Sequence, residues 1–145
     1  MTSKIDELLL NLQSEENTNK DTIIDELSDL IKVNEISVGV KNEIVTTILS
    51  LFNPEINYCL QESIFYFIAI AIDYNIMTKK ITDFILEHIS TLNPILIEYA
   101  LEAIINSDLS DKKEIIQECL NSSDPLVLEV IFGILRIYRQ DEISC

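Results

Sequence analysis

His88 is the single histidine of the chain, and most catalytic or metal-binding chemistry would have to be built on it. It stands between Glu87 and Ile89 near the end of an amphipathic stretch at 79–91. There a protonated imidazole would favour a helix C-terminus. No serine–aspartate or cysteine partner accompanies it at a nucleophile's spacing, and no metal-ligand spacing includes it. Cys59, Cys119 and Cys145 are widely scattered and lack a C-x-x-C pair. Cys59 and Cys119 fall in apolar helical patterns, which predicts buried thiols in a reducing compartment, and Cys145 reads as an exposed, incidental thiol. Any two carboxylates are candidates for acid–base work, yet among 25 acidic residues nothing singles out a pair. Gly39 and Gly133 are the only glycines, too isolated for a phosphate-cradling loop. No catalytic residue, metal set or cofactor is therefore expected, and the chain reads as a non-enzyme.

Charge narrows the partner. Against 25 Asp and Glu stand 10 Lys and Arg, a formal net charge of -15. Nucleic acid and anionic membrane surfaces need a cationic partner and are excluded as direct ligands. The 48% hydrophobic content excludes disorder, and 145 residues amount to one domain able to bury a core without staples. Asp6 and Glu7 interrupt the N-terminus before a signal-peptide core can form. The longest apolar run, 64–72, is far short of the roughly 18 residues a bilayer demands. A cytoplasmic location is expected.

Apolar residues recur at helical spacing throughout. Ile5, Leu8, Leu9 and Leu12 form one stripe, and Ile23, Ile24, Leu27, Leu30 and Ile31 form another. Further stripes are Ile44, Ile48, Leu51 and Phe52, then Ile81, Phe84, Ile85 and Ile89, then Ile115, Ile116 and Leu120. Leu60, Ile64, Phe67, Ile68 and Ile72 belong to a helix apolar almost all round, with Phe65, Phe67, Ile68 and Ile72 expected in the core. The alternation at 69–72 would suit a strand, but no hairpin turn motif is present, and the chain is assigned all-α. Asn53-Pro54, Asn93-Pro94 and Asp124-Pro125 contain every proline. Each puts a capping side chain directly before a proline at the first helical position, where the missing N–H costs nothing. Helices are thus predicted to start at Pro54, Pro94 and Pro125, each after a shorter helix at 41–52, 79–91 or 111–121.

This unit resembles the HEAT-type repeat. Pro94 is followed by Leu96, Ala100, Ala103 and Ile104 at that family's offsets. Pro125 is followed by Val127, Ile131, Ile134 and Leu135, and Pro54 by Ile56, Leu60, Ser63 and Ile64. The family's basic residue is replaced by Asn57, Ile97 and Leu128. The resemblance spans 41–139 and implies a right-handed superhelix of about four stacked antiparallel hairpins in a single domain, 1–145. Its parts would be a capping hairpin at 1–40 and repeats at 41–76, 77–107 and 108–140.

In such a stack the second helices line a concave face. Counting in fours from the prolines brings Tyr58, Glu62, Tyr66, Glu98, Glu102 and Glu129 onto one strip. The strip reads either as the wet edge of amphipathic helices or as a docking surface with tyrosine anchors. A rival surface is the acidic N-terminal hairpin, carrying Asp6, Glu7, Glu15, Glu16, Asp21, Asp25, Glu26 and Asp29. In size, acidity, helical repeats and an Ile/Asn/Lys-rich composition, the chain also resembles the small immunity proteins of bacterial toxin–immunity pairs, including contact-dependent growth inhibition systems. That resemblance implies a protein that neutralises a basic toxin domain, a nuclease by preference, as a 1:1 complex of monomers. A HEAT-like adaptor between cellular proteins is the alternative, and an enzyme of unknown type comes third.

Overall fold

A computed structural model describes residues 2–15, 19–122 and 125–144, with side chains described at 4–15, 19–121 and 125–137. Among the described residues there are eight α-helices, one short 3-10 turn and no strand. The all-α assignment holds. None of these helices is long and apolar enough to cross a membrane. The chain gathers into two compact units, residues 1–78 and 79–145.

The first unit contains α1 (Thr2–Gln13), α2 (Lys20–Leu30), α3 (Val38–Ser50) and α4 (Tyr58–Asp73). Helix α2 lies along α4, while α1 contacts α2 and α3, and α3 contacts α4. The stripes read from the sequence form its interior. Leu12, Ile24, Leu27, Ile44, Ile48, Ile64, Phe65, Phe67 and Ile68 are all fully buried. Phe52 meets Phe65 edge to face at 5.8 Å, an arrangement that adds to area burial.

Two of these helices begin elsewhere than the prolines and stripes suggest. Helix α3 begins at Val38 because the Ser37 hydroxyl accepts the Val40 amide. Helix α4 begins at Tyr58, not at Pro54. Asn53 does accept the Glu55 amide at 2.8 Å, but the Ile56 amide then closes back on the Asn53 carbonyl and completes a single turn. The Gln61 side chain donates to the Ile56 carbonyl at 2.8 Å and holds that turn outside the helix. The chain is extended at Asn57, whose carboxamide accepts the Leu60 amide at 2.9 Å and caps α4. At its other end α4 stops in a Schellman turn. The Ile76 amide reaches the Ala71 carbonyl and the Asn75 amide reaches Ile72. Asn75 takes the left-handed position (φ 57°) that glycine usually fills, and Ile76 is buried behind it.

The second unit contains α5 (Thr78–His88, whose first residue belongs to the first unit), a 3-10 turn (Ile89–Thr91), α6 (Pro94–Ile105), α7 (Lys112–Ser122) and α8 (Pro125–Ser144). Asn93 accepts the Ile95 amide at 2.9 Å with Pro94 at the first helical position, as the sequence predicts. Pro125 opens α8, and Asp124, the cap expected for it from the sequence, lies outside the described residues. Helix α6 packs on α8 and, less extensively, on α7, through buried Leu96, Ile97, Ala100, Leu101 and Ile104. Lys112, first in α7, donates to the Ile105 and Ser107 carbonyls at the end of α6, where a cation also suits the helix dipole. Three of the buried hydroxyls bond within their own segment. Ser28 donates to the Ile24 carbonyl, Thr82 to Lys79 and Ser107 to Ile104.

Cys119 is buried, as expected, and burial foremost, with help from the Glu118 charge, pushes its thiol up to about 11. Cys59 is not buried. In the first turn of α4 it is exposed beside Tyr58, on the same side of the helix as half-buried Ser63 and exposed Tyr66. Cys145 lies outside the described residues.

Two outcomes are expected. Phe67→Ala leaves a cavity at a fully buried site and costs about 3–5 kcal/mol in chemical denaturation, against about 1 kcal/mol for loss of the α4 cap in Asn57→Ala. On a Cys145→Ser background, a water-soluble disulfide reagent titrates Cys59 in the native protein and Cys119 only after unfolding.

Candidate functional site

The outward face of α4 follows from its capping. With Tyr58 at the first helical position, steps of four and three residues place Tyr58, Glu62, Tyr66 and Asp73 on one side. Phe65, Phe67, Ile68 and Ile72 fill the other. Tyr58 is 38% exposed and Tyr66 52%, with Glu62 half-buried between them. The Tyr58 hydroxyl donates to a Glu62 carboxylate oxygen at 3.3 Å. Two exposed aromatic rings bracketing an oriented carboxylate can cover the stem of a lysine or arginine and meet its charge.

Helix α6 presents a second face of the same kind. Ile95, Glu98, Tyr99, Glu102 and Asn106 recur at helical spacing opposite the buried Leu96, Ile97, Ala100 and Ile104. Glu98 and Glu102 stand one turn apart on this face, their carboxyl groups within hydrogen-bonding reach of each other. Partial burial foremost, and then the Glu98 charge, hold Glu102 above the ordinary carboxylate range.

The residues expected on the strip are placed within each unit as follows. Tyr58, Glu62 and Tyr66 share the α4 face in the first unit. Glu98 and Glu102 share the α6 face in the second. Glu129, exposed on α8, lies at the lip of an apolar groove beside α6. Tyr99 and Ile95, 37% and 46% exposed, belong to the α6 face and are missed by counting in fours from Pro94. Adding the three-residue step finds both Glu98 and Tyr99 from Ile95.

The rival N-terminal surface is partly engaged in holding its own unit together. Glu26 pairs with Lys4 at 2.9 Å, and Asp29 with Lys32 at 3.6 Å. Asp25 accepts a hydrogen bond from Ser63 of α4. Its carboxyl is raised, chiefly by burial and further by Asp21 and Asp29, with the Ser63 bond opposing. Glu16 of this surface lies outside the described residues. His88 ends α5, its ring against Phe84 at 4.7 Å. Among the described residues no three His, Cys, Asp or Glu side chains converge as a metal site.

The Glu98–Glu102 pair has a pH signature. An acid whose folded-state value is raised holds its proton more tightly in the fold than in the unfolded chain. Its ionisation destabilises the fold, and that penalty is present above the folded value and disappears below the unfolded one. Glu102→Gln should therefore raise stability by about 0.2–0.5 kcal/mol at about pH 7, the size of a like-charge pair one turn apart, and by nothing at about pH 3. Thermal melts of both proteins across that range check it.

Comparison with family models, curated proteins and solved structures returns no match to this chain.

Proposed function

We propose that this protein is a non-catalytic immunity protein that binds and neutralises a cognate basic toxin domain in the cytosol as a 1:1 complex. A nuclease is the toxin class that fits best, because its cleft must attract a polyanion and is cationic. The observation that carries the reading is the Glu98–Glu102 pair. Two like-charged carboxyl groups one turn apart, Glu98 exposed and Glu102 half-buried, gain most from a lysine or arginine brought by a partner. The α4 face, with Tyr58 and Tyr66 around Glu62, supplies aromatic anchors of the type that dominates interface energetics. The whole-molecule charge of -15 adds a field that accelerates the approach of a cationic domain.

The scaffold reading is a HEAT-like superhelix of four hairpins, α1/α2, α3/α4, α5/α6 and α7/α8. It is supported within each unit by contact between successive second helices, α2 with α4 and α6 with α8. The adaptor alternative draws on a separate observation. Leu126, Phe132 and Ile137 stand exposed on α8 at 76%, 51% and 59%, and apolar surface serves a protein partner without regard to charge.

Capture with this protein as bait from its own species, followed by mass spectrometry, should return one basic domain whose toxicity the protein suppresses. Glu98→Lys with Glu102→Lys should weaken that complex at least tenfold and flatten its salt dependence between about 50 and 500 mM, with the circular dichroism unchanged. Asp25→Lys with Asp29→Lys should matter less. The reverse ranking places the docking face on α2, and a complex indifferent to both pairs and to salt defeats the electrostatic reading.

A further inference from the structure

The second unit holds a groove of about 570 Å³ where the segment leading into α6 meets the start of α8. Leu92, Ile97 and Val127, all buried, form its floor, and Leu126 and Val130 form one wall. Its volume lies in the range of sites that enclose one or a few apolar groups. Apart from Ser90, the polar side chain on its rim is Glu129. On the α6 side the groove is lined by Pro94 and Ile97, so the one charged side chain lining it is Glu129 of α8. Arg136, two turns beyond Glu129 on α8, does not line it.

Charge selects among occupants. A second copy of this chain brings another -15 to a surface already edged with the Glu129 carboxylate, and like-charged surfaces repel. A neutral apolar molecule fills the floor but leaves Glu129 desolvated without a counter-charge, which is costly. An amphipathic helix with basic flanks satisfies both demands. Apolar residues at i, i+3 and i+4 enter the groove, and a lysine or arginine one turn away reaches Glu129. We infer that the groove between α6 and α8 docks a cationic amphipathic helical segment of the partner, seated on Ile97, Leu126 and Val130 and oriented by Glu129. The inference rests on the reading of the partner as a basic protein.

The full-length, nitrogen-15-labelled chain can be titrated with a synthetic amphipathic helix of leucine and lysine, beside a sequence-scrambled peptide and a leucine–glutamate version. Amide signals of Leu92, Ile97, Leu126 and Val130 should move with the leucine–lysine helix and with neither control. Val130→Trp fills the groove and Leu126→Asp places a charge on its exposed wall without touching the core. Each should weaken binding by about tenfold or more, and Glu129→Lys by about tenfold. If the groove amides stay still, if both groove variants bind as the parent does, or if the leucine–glutamate helix binds equally, the inference is overturned. A concentration-dependent dimer that shifts the same amides assigns the groove to a second copy and also overturns it. Toxin neutralisation that survives Leu126→Asp and Val130→Trp would sink the groove and leave the proposed function standing. Groove binding by the leucine–lysine helix, with no basic domain captured from the cell, would do the reverse.

Discussion

The fold depends on helices being unable to bury their apolar stripes alone. In the first unit α2 presents Ile24 and Leu27 at zero exposure, and α4 contributes Ile64, Phe65, Phe67 and Ile68 on the same terms. Each helix is stable only against a neighbour, so capping and turn chemistry chiefly decide where a helix starts, and packing decides that it exists. The outward faces are then left as whatever the inward ones do not use. On α4 that remainder is Tyr58, Glu62, Tyr66 and Asp73, and on α6 it is Ile95, Glu98, Tyr99, Glu102 and Asn106.

Those remainders carry an excess of negative charge that the fold does little to neutralise. Asp21, Asp25 and Asp29 stand a turn apart along α2, and both shifted carboxyls, Asp25 and Glu102, are shifted toward holding a proton. A chain selected for stability alone would place lysines at such positions, since opposite charges one turn apart help a helix and like charges harm it. Keeping the carboxylates makes sense where recognition uses them. Like charges one turn apart weaken the helices at their outward faces, while the core beneath holds the fold.

Much of this was legible in the sequence, because helical periodicity is a local property. The stripe at Ile5, Leu8, Leu9 and Leu12 and the burial of Phe67 needed only spacing. Asn93-Pro94 read correctly since nothing nearby competes for the cap. Asn53-Pro54 misled because a better cap, Asn57, stands four residues on and Gln61 ties down the intervening turn. The groove beside Glu129 is made by segments about thirty residues apart in the chain, so periodicity carries no trace of it. The Glu98–Glu102 pair was legible as a spacing, but the upward shift of Glu102 comes chiefly from its partial burial, which spacing does not encode.

The buried hydroxyls of Ser28, Thr82 and Ser107 have a consequence for how such a chain can change over generations. Each bonds to a carbonyl of its own segment. The seams between helices are thus largely written in isoleucine, leucine and phenylalanine, where swaps that conserve volume cost little. A protein built this way can exchange much of its interior by small steps and remain folded. Its exposed side chains on α4 and α6, such as Tyr66 and Glu98, can vary meanwhile without disturbing that interior.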